Sequence, residues 1–448
     1  MPTDAAILPP LRATRSDGFL FGLESLMRRS GQGRHLAATV LDFEGKADLE
    51  VIRKAAERLG RKYPVLHARL SRGGDFIARW RLDEVAAGAV PMKTWRLSGI
   101  ADEGEEIESI DALVDRCING RDIDILEKGP NLILHVVTTG RESWSLVLAW
   151  SHSLHDAAGI DKLLHELATA EMAGEPQSGG EDSLPPAVPM GELYKQAEPM
   201  MKEMRTFPQW GIRSLHRKGV KPGRCSFIVR TFDHEETATV RAKMAATAGE
   251  LLLLPYFACC ASRAVRSVIA ARHPDERVAI LLSLPAQRHS DSSKRPLFQN
   301  HMTVFTLLLT PDELEELKPA TRALYKKYAD FMRRKLTGAM DALMQMMERC
   351  PSRFYNLPAF HYLKGEICSL FHSHTGTFAP GIDAMFGSRV LNGYHVPSVC
   401  SPPGIGIFFS EYGGQLTMTV SWKEGCLSAL ELELLKQTLS EDLGASVP

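Results

Sequence analysis

The chain has 448 residues, more than a single hydrophobic core sustains, so two lobes of about 200 residues each are expected. Hydrophobic residues make up 44% and charged residues 24%, the balance of an ordinary globular protein, and 53 basic against 54 acidic residues leave a formal net charge of −1. That charge excludes the basic excess of a nucleic-acid binder, and no charge-free apolar run reaches the roughly 18 residues of a transmembrane segment, so the expected partners are small molecules or proteins.

The eight cysteines are scattered, with no C-x-x-C pair and no His/Cys spacing suited to zinc. They read as reduced, buried thiols of a cytoplasmic protein without a metal site. Met1 to Arg15 carries Pro9-Pro10 and charges but no apolar core of signal-peptide length.

In chain order, His35 to Phe43 is rich in β-branched and apolar residues and ends at Gly45, which predicts a strand. Asp48 is placed to cap a helix from Leu49 to Arg61, whose Leu49, Ile52, Ala55, Ala56 and Leu59 share one face and which Pro64 stops. Val65 to Leu70 and Phe76 to Leu82 flank Arg72-Gly73-Gly74-Asp75, a hairpin signature. A helix over Ile110 to Ile118 leads to strands at Leu132 to Thr138 and Trp144 to Trp150, joined by Thr139-Gly140-Arg141. Ile160 to Ala173 reads as a helix. Gly174 to Val188, rich in glycine and proline, reads as a flexible surface linker; it divides the chain into an N-terminal lobe, 1–180, and a C-terminal lobe, 181–448.

The second lobe repeats this vocabulary. Helices are expected over Gly191 to Arg205, Glu235 to Ala246, Pro255 to Ala271 and, with an interruption, Glu313 to Met347. Strands are expected at Ser226 to Phe232, Val278 to Pro285, Met302 to Leu309 and Ile367 to Ser373. Gly406 to Glu411 and Leu416 to Trp422 form a hairpin through Tyr412-Gly413-Gly414, and a helix over Leu427 to Leu443 closes the chain. The fold class is α/β, two lobes that are each an α+β two-layer sandwich.

Between the strand at Trp144 to Trp150 and its following helix stands Trp150-Ser151-His152-Ser153-Leu154-His155-Asp156-Ala157-Ala158-Gly159. A strand that delivers a histidine, then an aspartate four residues on, then a small-residue turn into a helix holds an imidazole at the rim of a cleft. Asp156 read alone is a second member of a catalytic set or a helix N-cap. His372-Ser373-His374 offers two histidines without a third metal ligand. No G-x-S-x-G serine nucleophile and no G-x-x-x-x-G-K-[ST] phosphate cradle occurs.

His152 to Asp156 resembles the H-x-x-x-D signature of acyltransferases with a chloramphenicol-acetyltransferase-like fold, which include condensation domains, plant BAHD enzymes, polyketide-associated acyltransferases and wax-ester synthases. Arg15-Ser16-Asp17-Gly18-Phe19-Leu20-Phe21 and Tyr63-Pro64-Val65-Leu66-His67-Ala68-Arg69-Leu70 resemble the start of that family. Leu282 to Arg288 resembles a second-lobe strand ending in arginine, and Phe298-Gln299-Asn300 resembles the glycine-asparagine turn after it. Ser373-His374-Thr375-Gly376 stands where the family has S-N-x-G, and Pro403 through Trp422 resembles its late hairpin. Two departures stand out: Ser151 replaces the first of two adjacent histidines, and Ala157 replaces the glycine after the aspartate.

The resemblance implies two lobes around a central cleft or tunnel, with the late hairpin, about 403–422, crossing toward the first lobe. It implies transfer of an acyl group from a thioester of coenzyme A or of an acyl carrier protein to a hydroxyl or amine. An imidazole with an ordinary pKa near 6.5 is suited to take the acceptor's proton at neutral pH, and that role falls on His152. Asp156 is expected to pair with Arg288 as a structural brace, with His155 in the variable interior of the motif, exposed or lining the cleft. Ala157, Gly159, Asn300, Ser373 and His374 are candidate oxyanion or cleft residues. No tightly bound cofactor or metal is expected, the donor thioester being a co-substrate, and the protein is expected to be a monomer. The alternative is a catalytically lapsed relative that binds an acyl carrier or scaffolds a pathway.

Overall fold

The computed structural model describes residues 9–74, 77–82, 88–127, 129–169, 176–180, 188–249, 252–288, 294–350 and 363–447. Two large mixed sheets dominate it. The seven-stranded sheet runs, edge to edge, Ala384–Met385, Ser388–Pro397, Leu36–Glu44, Ser143–Ser151, Leu132–Gly140, Met92–Leu97 and Glu105–Ile107. The six-stranded sheet runs Met302–Leu309, Ile280–Gln287, Leu370–Thr377, Ile405–Tyr412, Gln415–Lys423 and Cys225–Thr231. A small sheet of Leu11–Arg12, Ala78–Arg81 and Arg69–Arg72 completes the first lobe.

The central strand Ser143–Ser151 is buried on both faces because both of its alternating side-chain sets are apolar. Trp144, Leu146, Leu148 and Trp150 pack in one core with Ile52, Ala56 and Leu59 of the helix Leu49–Lys62. Val147 and Ala149 face the opposite side, where Leu36, Ala38 and Val40 meet Cys225, Phe227, Phe371 and Phe408 of the second sheet. The lobes are thus joined by a shared apolar layer.

The crossing element differs from expectation. The hairpin of Ile405–Tyr412 and Gln415–Lys423 stays in the six-stranded sheet, bonded to Leu370–Thr377 on one side and Cys225–Thr231 on the other. Its apolar residues Ile405, Ile407, Phe409, Leu416, Met418 and Val420 belong to the second-lobe core, which fixes it there. The strand that crosses is Ser388–Pro397, antiparallel to Leu36–Glu44 with Tyr394 opposite Val40.

Other boundaries follow local chemistry. The stretch after Pro64 begins as a single 3-10 turn, Pro64–His67, before the strand Arg69–Arg72, because proline presets a turn rather than a ladder residue. The tip of that hairpin at Asp75 and Phe76 lies outside the described residues. The interrupted helix is two helices, Leu317–Arg333 and Leu336–Glu348, broken at Lys335 with φ 54°. The helix after the motif spans Ala157–Ala168; residues 170–175 and 181–187 are outside the described residues, so most of the linker is too. Its described piece is packed: the Gly179 carbonyl accepts from the amides of Leu297 (2.8 Å) and Phe298 (3.1 Å). A Cβ at Gly179 would lie 2.6 Å from the Phe298 ring, so the glycine is required for the approach as well as for its φ of +64°.

Helix Leu253–Arg272 is long and apolar enough to cross a membrane by length and composition, with a mean hydropathy of 1.2, but 61% of that window is buried. Cys259, Cys260, Ala264, Val265 and Val268 of this helix pack in the second-lobe core.

Candidate functional site

His152 is the first residue beyond the strand Ser143–Ser151, and its amide continues the ladder by donating to the His35 carbonyl (3.1 Å). The backbone then buckles: the Ser151 carbonyl accepts from the amides of Leu154 and His155, both at 3.2 Å, which turns the chain into the helix Ala157–Ala168. Ser151 itself is buried and serves this turn. The His152 ring is half-buried with Nδ1 enclosed, so Nε2 is the nitrogen presented to the cavity the ring lines. Burial lowers the pKa of the imidazole below its ordinary value; its own backbone, that of His155 and the Asp156 carboxylate oppose the shift, while His395 adds to it. The ring is therefore neutral at pH 7, the form that accepts a proton.

Asp156 braces the motif, but its partner is Arg295 rather than Arg288. The Arg295 guanidinium donates to Asp156 Oδ1, with both side chains almost fully buried. The same oxygen accepts the Gly159 amide at 2.9 Å, and Oδ2 accepts the His301 amide at 3.3 Å. Asp156 is thus helix cap and ion-pair member together. Arg288 leaves the strand end in another direction, donating to the Met302 carbonyl (3.0 Å) and to Asp341 (2.7 Å) at a half-exposed site.

The other candidates separate into two groups. Ala157, Ser373 and His374 line the cavity with His152; Asn300 and Gly159 do not. The Asn300 side chain donates to Asp17 Oδ1 (2.9 Å) and to the His152 carbonyl (3.2 Å), clamping the motif turn from behind. The Gly159 amide is committed to the Asp156 cap, and a Cβ there would sit 2.9 Å from the Leu297 carbonyl. Gly159→Ala should therefore cost about 1–3 kcal/mol of stability, read from denaturant unfolding, as other overpacking substitutions do. The amides of Ala157 and Ala158 make no hydrogen bond among the described residues, and both residues line the cavity at a helix N-terminus. They are the geometric candidates for oxyanion donors.

His155 is fully buried, not exposed or in the cavity wall. It lies edge-on to Trp150 and 5.2 Å from the Phe298 ring, and burial pushes its pKa down to about 3. Behind it, Asp17 is enclosed and burial raises its carboxyl to about 7, against hydrogen bonds from Asn300 and Thr14 that favour the charge. Because the folded state holds this proton more tightly than the unfolded chain, stability from this group is present below about pH 4 and is lost as pH rises to about 7. Asp17→Asn should flatten that part of the stability profile, a difference measurable from urea midpoints of the two proteins between pH 4 and 7.

Two site histidines were missed from the sequence. His35 stacks on His152 with ring centroids 4.7 Å apart and planes 16° from parallel. His395, on the crossing strand, lies opposite Thr39, whose hydroxyl meets His395 Nδ1 at 2.9 Å while accepting the Trp150 indole N–H at 2.9 Å. His395 Nε2 lies 3.4 Å from Asp161 Oδ1. No linear signal marks either residue, since strand pairing alone brings them to His152. Gln299 holds φ 73° in the turn that resembles glycine-asparagine in the family, and its side chain donates to the Arg12 carbonyl.

The cavity, about 410 Å³, is walled by both lobes. His35, Trp150, His152 and Pro397 come from the first sheet; Ser283, Phe371, Ser373 and Phe408 come from the second; Phe19, Leu20 and Leu23 belong to the helix Arg15–Arg29. Among the described residues, no cluster of three or more potential metal ligands is present.

No protein-family model matches the chain, and no curated protein matches it by sequence. Solved structures do resemble it. Trichothecene 15-O-acetyltransferase TRI3 from Fusarium sporotrichioides superposes with a TM-score of 0.69 at 12% identity, covering 99% of each chain. Polyketide synthase associated protein 5 from Mycobacterium tuberculosis gives 0.60 at 14% identity over 97% of this chain and 99% of that one. A variant of the starter condensation domain of rhizomide synthetase, in complex with C8-CoA and Leu-SNAC, gives 0.60 at 12% identity over 98% and 96%. With two sheets sharing an apolar layer, a strand exchanged between lobes and a histidine at the cleft rim, the chain has the chloramphenicol-acetyltransferase-like fold.

Proposed function

We propose that the protein is an acyltransferase that carries an acyl group from a pantetheine thioester, on coenzyme A or a carrier protein, to a hydroxyl or amine. The observation that carries this reading is His152 lining a cavity walled by both lobes, with Nδ1 enclosed and Asp156 engaged by Arg295. Nε2 takes the acceptor's proton as the acceptor oxygen or nitrogen bonds to the thioester carbonyl carbon. Charge builds on the carbonyl oxygen, for which the Ala157 and Ala158 amides, uncommitted among the described residues, are donors on the motif. Collapse of the tetrahedral intermediate breaks the C–S bond, and the imidazolium returns the proton to the departing thiolate. The thioester supplies the activation and the histidine moves the proton. The bound C8-CoA of the similar condensation domain supports a thioester as donor.

The direct test incubates the protein and His152→Ala with mixed acyl-CoA and acyl-carrier thioesters and alcohol or amine acceptors, with products read by mass spectrometry. An ester or amide made only by the unaltered protein is the expected result. Binding of a carrier without transfer from any thioester would favour the lapsed, scaffolding alternative instead.

A further inference from the structure

The six-stranded sheet is not continuous. Ile280–Gln287 and Leu370–Thr377 are each eight residues long, yet they share only two partner pairs, Leu282 with Leu370 and Ser283 with Phe371. Each strand keeps its other neighbour past that point. Ile280–Gln287 pairs with Met302–Leu309 as far as Gln287, and Leu370–Thr377 pairs with Ile405–Tyr412 as far as Thr377, across one irregularity. The two strands therefore part beyond Ser283 and Phe371 and leave an opening within the sheet.

The cavity at His152 enters that opening. Successive residues of a strand point to opposite faces, so a cavity confined to one face touches every second residue. Here it touches both members of neighbouring pairs: Pro285 and Ala286, Ser373 and His374, Phe408 and Phe409. Phe408 belongs to the apolar layer between the lobes, whereas Phe409 belongs to the second-lobe core, against which Ala286 also packs. Behind the sheet the space meets the helix Leu253–Arg272. Leu254 is part of the cavity wall, and the Phe257 ring stacks on Phe409 (4.4 Å between centroids) and on His374 (5.3 Å).

The chemistry of this branch suits an uncharged chain. No lysine, arginine or glutamate stands among the described residues that line the cavity, and its one aspartate, Asp156, is paired with Arg295. His372 donates from Nδ1 to the Ile407 carbonyl (2.9 Å), and burial pushes its pKa down to about 3; burial lowers His374 as well, so both rings are neutral at pH 7. An ammonium or carboxylate brought here would lose its water without finding a counter-charge, whereas every methylene removed from water is favourable. Two strands that part while remaining in one sheet leave a slot narrow in one direction, which admits an extended chain and rejects a ring.

We infer that the opening between Ile280–Gln287 and Leu370–Thr377 is a substrate slot for an unbranched aliphatic chain, carried by the acyl group of the donor or by the acceptor. The inference rests on the acyl-transfer reading, in which the reacting carbonyl lies at His152 and a chain leading away from it follows the cavity through the sheet. Either source makes the substrate a fatty one.

The test is calorimetric titration with butanoyl-, octanoyl- and decanoyl-coenzyme A and, separately, with 1-butanol, 1-octanol and 1-decanol, each without the second substrate. Cyclohexylacetyl-coenzyme A and 2-cyclohexylethanol serve as ring-bearing analogues with the same eight carbons. The proteins are the unaltered chain, Ala286→Phe, which fills the opening, and Leu254→Ala, which deepens its far end. The unaltered protein should bind the straight eight-carbon member of at least one series about tenfold or more tightly than both the four-carbon member and the ring-bearing analogue, since each buried methylene strengthens binding. Ala286→Phe should abolish that gain and leave the four-carbon member bound as before, and Leu254→Ala should raise affinity for the ten-carbon member relative to the eight-carbon one. A gain in the coenzyme A series assigns the slot to the acyl chain; a gain in the alcohol series assigns it to the acceptor's chain. No gain in either series, a ring-bearing analogue bound as tightly as the straight chain, or a gain that survives Ala286→Phe overturns the inference. Should Ala286→Phe not fold, Leu254→Ala decides, and an unchanged ratio of ten- to eight-carbon affinity overturns it. The readout is binding, so the acyl-transfer reading stands or falls separately, on product formation.

Discussion

Arg295→Ala is expected to destabilise the protein by about 3–5 kcal/mol, while Arg288→Ala should cost no more than about 1 kcal/mol. The contrast comes from burial. Side-chain exposure is 3% for Arg295 and 7% for Asp156, so removing the guanidinium leaves an enclosed carboxylate held, among the described residues, by the Gly159 and His301 amides. Arg288 and Asp341 are 27% and 22% exposed, and water can replace the lost partner. Urea unfolding of the two variants checks this, and equal losses would refute the assignment of Arg295 as the brace. Because Asp156 also caps the motif helix, Arg295→Ala should loosen the turn that carries His152 and lower activity along with stability.

His152→Ala is expected to lower kcat by about 10²–10⁴-fold, the range for loss of a positioned general base, with little change in stability. The ring is half-buried and its Nδ1 makes no side-chain hydrogen bond among the described residues, so little native structure depends on it. The pH profile gives an independent signature. A base must be deprotonated to act, and burial holds this imidazole below its ordinary pKa. The kcat/KM of the unaltered protein should therefore be level through neutrality and fall only on the acid side of the usual histidine range. A fall centred near or above pH 7 would point to a different base.

Much of the scaffold was legible because its strands and helices carry regular periods. The alternation within Ser143–Ser151 and the one-sided face of Leu49–Lys62 marked those elements, and the order of matching segments identified the fold. Short edge strands such as Glu105–Ile107 were not legible, being polar and three residues long. Ser388–Pro397 was missed for a related reason: it alternates between buried and exposed positions at its start and contains Asn392, Gly393 and Pro397. Arg295 could not be told from Arg288 by type or neighbourhood. Both follow the strand Ile280–Gln287, and only the return of the chain past Asp156 decides between them. His35 and His395 depended on strand register across more than a hundred residues of intervening chain.

The exchanged strand also sets an order of assembly on the ribosome. Leu36–Glu44, nine residues long, is synthesised well before its neighbour Ser388–Pro397. Until that neighbour is made the nascent first half carries an unpaired sheet edge, the kind of surface that invites wrong pairing. The two halves must therefore complete their folding together, and a chain halted after the linker would be a substrate for chaperones rather than a finished domain.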